Sequence, residues 1–335
     1  MIISIEEVLP NDVLQEIASQ LDGARIAIGG ATGFVGRAML ACLNSIASVT
    51  GASFSVITLS RASNLCTGRA ASSALHFAGD RAAFIKQCLD WQVSHYCHLA
   101  TPTTLEKGAA DLISTRESTI VLLEQMIEVA RVTGRLKVLN ASSGAVYGPN
   151  TSGFPASLST QLSPLDWGDR VKDNYTRVKR ESEQLLSHAN AEGLIEGTNA
   201  RLFAFMGPGL PLDSHFAIGN FMSNAVTGKE ILVKNPLAVR AYLPREIMAA
   251  CMVLALLLPK GELVHISSGS GLSLASYAQA IAEISGVPLK LSEGLRPDYY
   301  VGNAHPFEAF TENFNLEGYL GRWFDFEKLR LTSRL

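Results

Sequence analysis

Tyr175 and Lys179 stand four residues apart in Tyr-Thr-Arg-Val-Lys, a spacing that puts a phenol and an ammonium on one face of a helix. A cation beside a phenol favours the phenolate and brings the tyrosine toward the working pH, which makes it an acid/base. Taken alone, such a pair would be a solvated helix face; its place downstream of an apolar, strand-length run gives it meaning. That run, Leu136 to Ala141, leads into Ser142-Ser143-Gly-Ala-Val-Tyr147-Gly148. A hydroxyl at the end of a strand there can bond the same substrate oxygen that Tyr175 protonates, and Ser143 is the choice. At least one of the two serines caps or satisfies local backbone. No metal is expected: none of the seven histidines falls in a ligand-like cluster, and His95 and His98, on a strand-like segment, project to opposite faces.

A second chemical signal lies near the start of the chain. Gly30-Ala-Thr32-Gly33-Phe34-Val35-Gly36 follows directly on the apolar run Arg25 to Gly29 and opens a helical stretch, Gly36 to Ile46. Glycines so placed allow a tight turn, let backbone amides approach a pyrophosphate and bring helix and strand close, while the helix N-terminus favours the anion. The bland alternative is a structural turn. The second apolar run ends Leu59-Ser60-Arg61 with no acidic residue to accept bonds from the ribose 2′-hydroxyl of NAD. An arginine beside a hydroxyl suits the 2′-phosphate of NADP, so NADP is the expected cofactor and NAD the alternative. Its positive nicotinamide ring, when oxidised, would add to the pull of Lys179 on Tyr175. Asp80, after Gly79, would lie near the adenine, although Gly-Asp is also an ordinary turn.

The elements that must position these groups alternate. Strand-length runs at Arg25 to Gly29, Ser53 to Ser60, Leu75 to Phe77, Val93 to Leu99 and Leu136 to Ala141 are interleaved with amphipathic helical stretches, the pattern of βαβ units around a parallel sheet. Two long helical stretches, Ala109 to Val132 and Asn174 to Ala191, flank the fifth strand and its loop. Past Arg201 the rhythm changes to short apolar runs and Gly/Pro-rich turns, with a last helix near Leu274 to Ile284. The expected organisation is a dinucleotide-binding domain over residues 1–200 and a substrate region over 201–335, some segments of which return to the first domain.

With 335 residues, 47% of them hydrophobic, the chain can bury a large core. A net charge of −3 without a basic stripe argues against a nucleic-acid partner. The longest apolar run, Ile247 to Leu258, stops at Pro259 well short of the roughly twenty residues that span a bilayer. Glu6 and Glu7 stand where an export signal would be basic, and five cysteines (Cys42, Cys66, Cys88, Cys97, Cys251) without CxxC spacing suggest neither a disulfide framework nor zinc. A cytoplasmic location, with no membrane partner, is the expectation.

Gly-Ala-Thr-Gly-Phe-Val-Gly, His98-Leu-Ala100-Thr101, Ser-Ser-Gly-Ala-Val-Tyr-Gly and Tyr-Thr-Arg-Val-Lys, in this order, resemble the extended short-chain dehydrogenase/reductase family: nucleotide-sugar epimerases, dehydratases and reductases. Arg201-Leu-Phe-Ala-Phe-Met-Gly-Pro-Gly209 and Val239-Arg240-Ala-Tyr242 are similar to later segments of the same pattern. The resemblance implies an α/β fold, a Rossmann-type doubly wound parallel sheet with a smaller C-terminal substrate-binding region. It implies Ser143, Tyr175 and Lys179 as the catalytic set. Gly30, Thr32, Gly33, Phe34, Val35 and Gly36 would surround the cofactor with Ser60, Arg61, Asp80, Ala100 and Thr101. Arg240 would hold the substrate diphosphate, and Asn220 is either a second contact or a helix cap.

Departures from that pattern bear on the reaction. Related 4,6-dehydratases carry an acidic pair just after the catalytic hydroxyl, where this chain has Gly144 and Ala145, so that mechanism is disfavoured. Ser60-Arg61 points to NADPH consumed stoichiometrically, hence to reduction of a nucleoside-diphosphate 4-keto-6-deoxyhexose. A nucleotide-sugar 4-epimerase and a non-catalytic NADP-binding regulator are the alternatives, and the intact catalytic set argues against the regulator. Ala204 replaces a family asparagine, and Leu243-Pro244-Arg245-Glu246 an aspartate-containing run, which allows an unusual sugar or nucleotide. Ile120, Leu123, Met126, Ile127 and Ala130, with Val121 and Leu122, make an apolar surface broader than one sheet-facing stripe. Together with Val178, Leu185 and Leu186 it suggests a homodimer through the two long helices, the alternative being that both pack within one subunit.

Overall fold

Each of the five strand-length runs forms a strand, and two further strands extend the sheet on one side. In the computed structural model, which describes residues 2–61, 75–101, 115–150, 152–214, 216–259, 261–293, 298–312 and 314–333, β1 is Arg25–Gly29, β2 Ser55–Ser60 and β3 Leu75–Ala78. They are followed by β4 (His95–His98), β5 (Lys137–Ser143), β6 (Glu196–Leu202) and β7 (Leu263–Ile266). All seven pair in parallel in the order β7-β6-β5-β4-β1-β2-β3. Ile26, Ala27 and Ile28 are fully buried, as befits a strand covered on both faces. The chain winds one way from β1 to β3 and the other way from β4 to β7. A crevice therefore opens where the carboxyl ends of β1 and β4 diverge, the usual ligand site of a doubly wound sheet.

Two helix starts differ from the sequence expectation, each for a local reason. The helix after β1 begins at Phe34, inside the glycine motif, and runs to Thr50. The helix carrying Tyr175 starts at Arg170 and ends at Ala191, because Asp169 accepts from the amides of Val171 (2.8 Å) and Lys172 (3.4 Å) and caps a polar first turn that has no apolar periodicity to announce it. The other long helix is described from Thr115 onward, as a π turn over Glu117–Val121 and then an α-helix over Leu122–Thr133; residues 109–114 lie outside the described residues.

The apolar surplus on that helix has a partner inside the subunit. Ile120, Leu122, Leu123, Met126, Ile127 and Ala130 are all buried in the single chain, most of them in a cluster with Ile57, Tyr96 and Val138 of the sheet and Phe84 and Leu186 of neighbouring helices. The breadth of the stripe reflects packing on the sheet and on two helices at once. It is not a reason for a second subunit, and Val178 and Leu186 are likewise buried.

Ile247 to Leu258, the longest apolar run, is most of a core helix (Arg245–Leu257) laid between the sheet and the Phe34–Thr50 helix, with residues 247–253 almost wholly buried. Among the described residues no helix is long and apolar enough to cross a membrane. Cys42, Cys88, Cys97 and Cys251 are free and buried; Cys66 lies outside the described residues. Beyond β6 the chain builds small strand pairs at the cleft mouth: Ala204–Met206 with Tyr242–Pro244, and Val239–Arg240 between Leu272–Ser273 and Tyr299–Tyr300. The helix expected near Leu274 to Ile284 is Leu274–Ser285, capped by Ser273 and ended by Gly286 in the left-handed region, but it is not the last: Leu316–Thr332 forms a further helix that buries Tyr319, Leu320 and Trp323.

Candidate active site

A cleft of about 1900 Å³ runs along the carboxyl ends of the central strands. One wall is the glycine loop. Gly30 sits at φ +86°, and a Cβ there would come within 2.6 Å of the Leu99 carbonyl, so the β1 and β4 ends approach only because it is glycine. A Cβ on Gly36 would lie 2.3 Å from the Gly30 carbonyl oxygen, which explains a glycine in the first turn of a helix. Gly33, at the N-cap, offers no side-chain acceptor, and so the first amides of that helix are left to whatever enters the cleft. Open amides, the positive end of the helix dipole and a loop without Cβ atoms suit a dinucleotide pyrophosphate.

The opposite wall comes from β5 and the Arg170–Ala191 helix. Adjacent residues of a strand point to opposite sides, and the end of β5 shows what that does to the two serines. Ser142 Oγ donates to Glu183 Oε1 at 2.5 Å, and Glu183 is itself held by Arg201 through bonds of 2.8 and 2.6 Å. Ser142 is thus tied into a buried ion pair. Ser143 Oγ accepts from the Ala145 amide at 3.2 Å and lies 3.0 Å from the Tyr300 hydroxyl. Ser143, Tyr175 and Lys179 all line the cleft.

Lys179 is 3% exposed; its ammonium donates to Thr101 Oγ1 at 2.9 Å and to the Ala141 carbonyl. Burial pushes its pKa down to about 7, against an opposing pull from Glu183. Its Nζ stays 5.8 Å from the centre of the Tyr175 ring. The Tyr175 phenol is pushed up by burial and by the neighbouring Tyr300, with a hydrogen bond from Ser143 pulling the other way. The downward shift expected from the Lys179 spacing is therefore absent in the protein by itself, because loss of water around the phenolate outweighs an ammonium that is bonded elsewhere.

The remaining expected residues divide. Gly30, Gly33, Phe34, Val35, Gly36 and Thr101 line the cleft, and Thr32 is in the same loop. The Ala100 carbonyl accepts from Thr119 Oγ1 at 3.5 Å, behind the wall. Ser60 ends β2 nearly buried and Arg61 follows it on the surface, beyond the cleft lining. Asp80 is exposed and caps the next helix through the Ala83 amide at 2.9 Å. Asn220 is exposed on the fourth residue of the Ala217–Val226 helix; it neither caps that helix nor reaches the cleft, whereas Phe216 and Ala217 do.

Arg240 is in the cleft wall, but already engaged. It forms an ion pair with Asp298 at 2.6 Å and donates to the carbonyls of Val239 and Asp298, each at 2.9 Å. Among the cleft residues that escaped the sequence reading are Tyr300, Asp298 and Lys172. Lys172 precedes Tyr175 by three positions on the same helix, a spacing that would have flagged it. Its ammonium lies 3.3 Å above the Trp167 ring, and burial lowers its pKa to about 8. Tyr300 and Asp298 sit on and beside a two-residue strand with no periodicity to read.

Comparison with known proteins gives the family and the fold. Residues 26–266 match the model of the NAD dependent epimerase/dehydratase family. UDP-glucuronic acid decarboxylase 5 of Arabidopsis thaliana is 26% identical over 146 residues, 43% of this chain and 41% of that protein, so the match spans less than half of the curated relative. Among solved structures, a Thermotoga maritima UDP-glucose 4-epimerase with UDP-glucose superposes with a TM-score of 0.75 at 18% identity, covering 92% of this chain and 99% of the other. A Bacillus anthracis dTDP-glucose 4,6-dehydratase in complex with NAD gives 0.74 at 14% identity, covering 92% and 98%. The parallel sheet of seven strands is common ground with these structures, and the chain is an enzyme of the NAD dependent epimerase/dehydratase family.

Proposed function

We propose that this protein reduces the carbonyl of a nucleoside-diphosphate keto-sugar, a 4-keto-6-deoxyhexose, at the expense of NADPH. The observation that carries this reading is the placement of Ser143, Tyr175 and Lys179 on one wall of a single cleft whose other wall is the glycine loop. When bound, the dinucleotide supplies the hydride that the carbonyl carbon accepts. Tyr175 gives its proton to the sugar oxygen, and its raised pKa keeps that proton on until the oxygen becomes basic. Ser143 hydrogen-bonds the same oxygen as negative charge develops there. Lys179, anchored by Thr101 and Ala141, would hold the nicotinamide ribose when the dinucleotide is bound.

Supporting NADP, the end of β2 carries Ser60 and Arg61 and no carboxylate. Supporting reduction over dehydration, Gly144 leaves no room for an acidic side chain: a Cβ there would lie 2.5 Å from the Phe203 ring. Supporting a phosphate-bearing substrate, Arg240 and Lys172 line the cleft beyond Tyr175. A 4-epimerase is the second reading, favoured by the family match, since the same three residues would serve oxidation and re-reduction of one carbon. The proposal includes a homodimer through the long helices, supported by Val121 and Leu185, which stay half-buried.

The test is absorbance of reduced nicotinamide while nucleoside-diphosphate keto-sugars are added, with products read by mass spectrometry. Steady consumption with a gain of two hydrogens is expected. Interconversion without consumption would replace the reductase by an epimerase.

A further inference from the structure

Tyr300 belongs to the C-terminal part of the chain, yet its hydroxyl lies 3.0 Å from Ser143 Oγ, 157 residues earlier. The contact is held from several sides. Residues Tyr299–Tyr300 pair with Val239–Arg240, the Tyr300 ring lies 5.2 Å from the Phe203 ring, and the Arg240 guanidinium is 6.0 Å from its centre. A Cβ on Gly302 would strike Phe203 at 2.3 Å, so the segment after Tyr300 closes against the same ring.

A serine hydroxyl has one proton to donate and two lone pairs to fill. At Ser143 one lone pair takes the Ala145 amide. Burial pushes the Tyr300 phenol up, so it keeps its proton, and the acceptors near it are Ser143 Oγ and, more distantly, the Leu202 carbonyl at 3.4 Å. Either hydroxyl can donate in this contact; when Tyr300 donates, the second lone pair of Ser143 is filled. The serine's own proton is then left to point outward, to the Tyr175 oxygen in the free enzyme and to the substrate oxygen in the complex.

We propose that Tyr300 is a positioning residue that donates to Ser143 and so commits the serine proton to the reacting oxygen. This rests on the assignment of Ser143 and Tyr175 above. It also links two ends of the cleft, because Tyr300 is in register with Arg240, and a phosphate that engages Arg240 bears on the strand that sets Ser143.

A double-mutant cycle tests it. Tyr300→Phe keeps the ring packing and should lower kcat on the order of 10-fold, the size of one lost hydrogen bond, with KM nearly unchanged. In a Ser143→Ala background the same substitution should cost nothing more. An equal loss in both backgrounds, or none in the wild type, overturns the proposal. The cycle is run on whichever nucleotide sugar the wild type converts, reduced or epimerised. If none is converted, the substrate reading fails separately, and ζ-13C-tyrosine NMR of the NADP-bound protein decides this one. The Tyr175 resonance, identified by its loss in Tyr175→Phe, should move on Tyr300→Phe when Ser143 is present and stay put when it is alanine. A Tyr175 resonance indifferent to Tyr300 overturns the proposal.

Discussion

Arg240 and Asp298 pair at 2.6 Å across the cleft mouth, so the guanidinium assigned to the substrate phosphates already has an anion. An incoming diphosphate must compete with that carboxylate or share the cation with it. Asp298→Asn removes the competing charge and keeps the side-chain shape, so a nucleoside diphosphate should bind roughly 3- to 10-fold more tightly at low salt, while Arg240→Ala should weaken it by about 10-fold or more. Titration calorimetry with UDP and dTDP reads both. Weaker binding in Asp298→Asn would make the carboxylate a support for Arg240 and not a rival of the ligand.

Arg61 follows the buried end of β2 on the surface. Arg61→Ala should weaken NADPH by on the order of 10-fold or more, as for a lost charge-assisted bond, and leave NADH almost unaffected. Fluorescence titration of the two reduced cofactors measures the difference; equal losses would remove the NADP assignment.

Tyr175→Phe should leave cofactor binding intact and cut turnover by on the order of 10²-fold, as for a lost general acid. Lys179 adds a pH signature. Its pKa, lowered by burial to about 7, means that the ammonium is present below that pH and lost above it. The profile of kcat/KM, which reports the free enzyme, should therefore fall as pH rises through about 7. A flat profile up to the ordinary lysine range would show that Lys179 keeps its charge.

Three buried histidines predict acid sensitivity. Burial lowers His95 and His265 to about 4 and His98 to about 3, from an ordinary 6.5. Between these values and 6.5 the unfolded chain holds protons that the folded one refuses, so stability is complete above the unfolded value and declines as pH falls below it. Each contributes up to roughly 1.4 kcal/mol per pH unit in that window. Urea unfolding at successive pH values should show the decline, and His265→Gln should reduce its slope by the share of one proton. His265 joins Tyr147 at 2.6 Å and Asn303 at 2.6 Å, so this variant also lowers stability at neutral pH; the slope is the quantity that tests the idea.

Much of this site was legible in the sequence because its parts are local. The glycines between Gly30 and Gly36 act through neighbours in the chain, and Tyr175 and Lys179 through one helical turn. The parallel sheet followed from alternation alone. What escaped depends on distant segments: Tyr300 reaches Ser143 only through a two-residue strand, and Asp298 meets Arg240 through the same pairing. Ser143 is the choice from the sequence too, but its physical ground is distant: Glu183, forty-one residues after Ser142, claims that hydroxyl and leaves the other to the cleft. Spacing shows a cation near Tyr175 and cannot show that burial pushes its phenol up in the protein by itself.

The homodimer proposal has to be tested away from Leu123, which is wholly buried under the sheet, so that a charge there would unfold the subunit whatever its assembly. Leu185 is the better site. It lies half-buried on the helix of Tyr175, with Gln184 and His188 exposed beside it. The neighbouring helix is tied to this one at the surface by the Arg116–Glu181 ion pair at 2.5 Å, so the two present a joint face. If that face meets its symmetry mate, light scattering at micromolar concentration should give a dimer, and Leu185→Lys should split it, since two like charges would be brought together at a twofold interface. The same variant should stay folded, because the lysine stem can cover the apolar surface while its ammonium reaches water. A wild-type monomer ends the proposal, and a dimer indifferent to Leu185→Lys places the contact on another face.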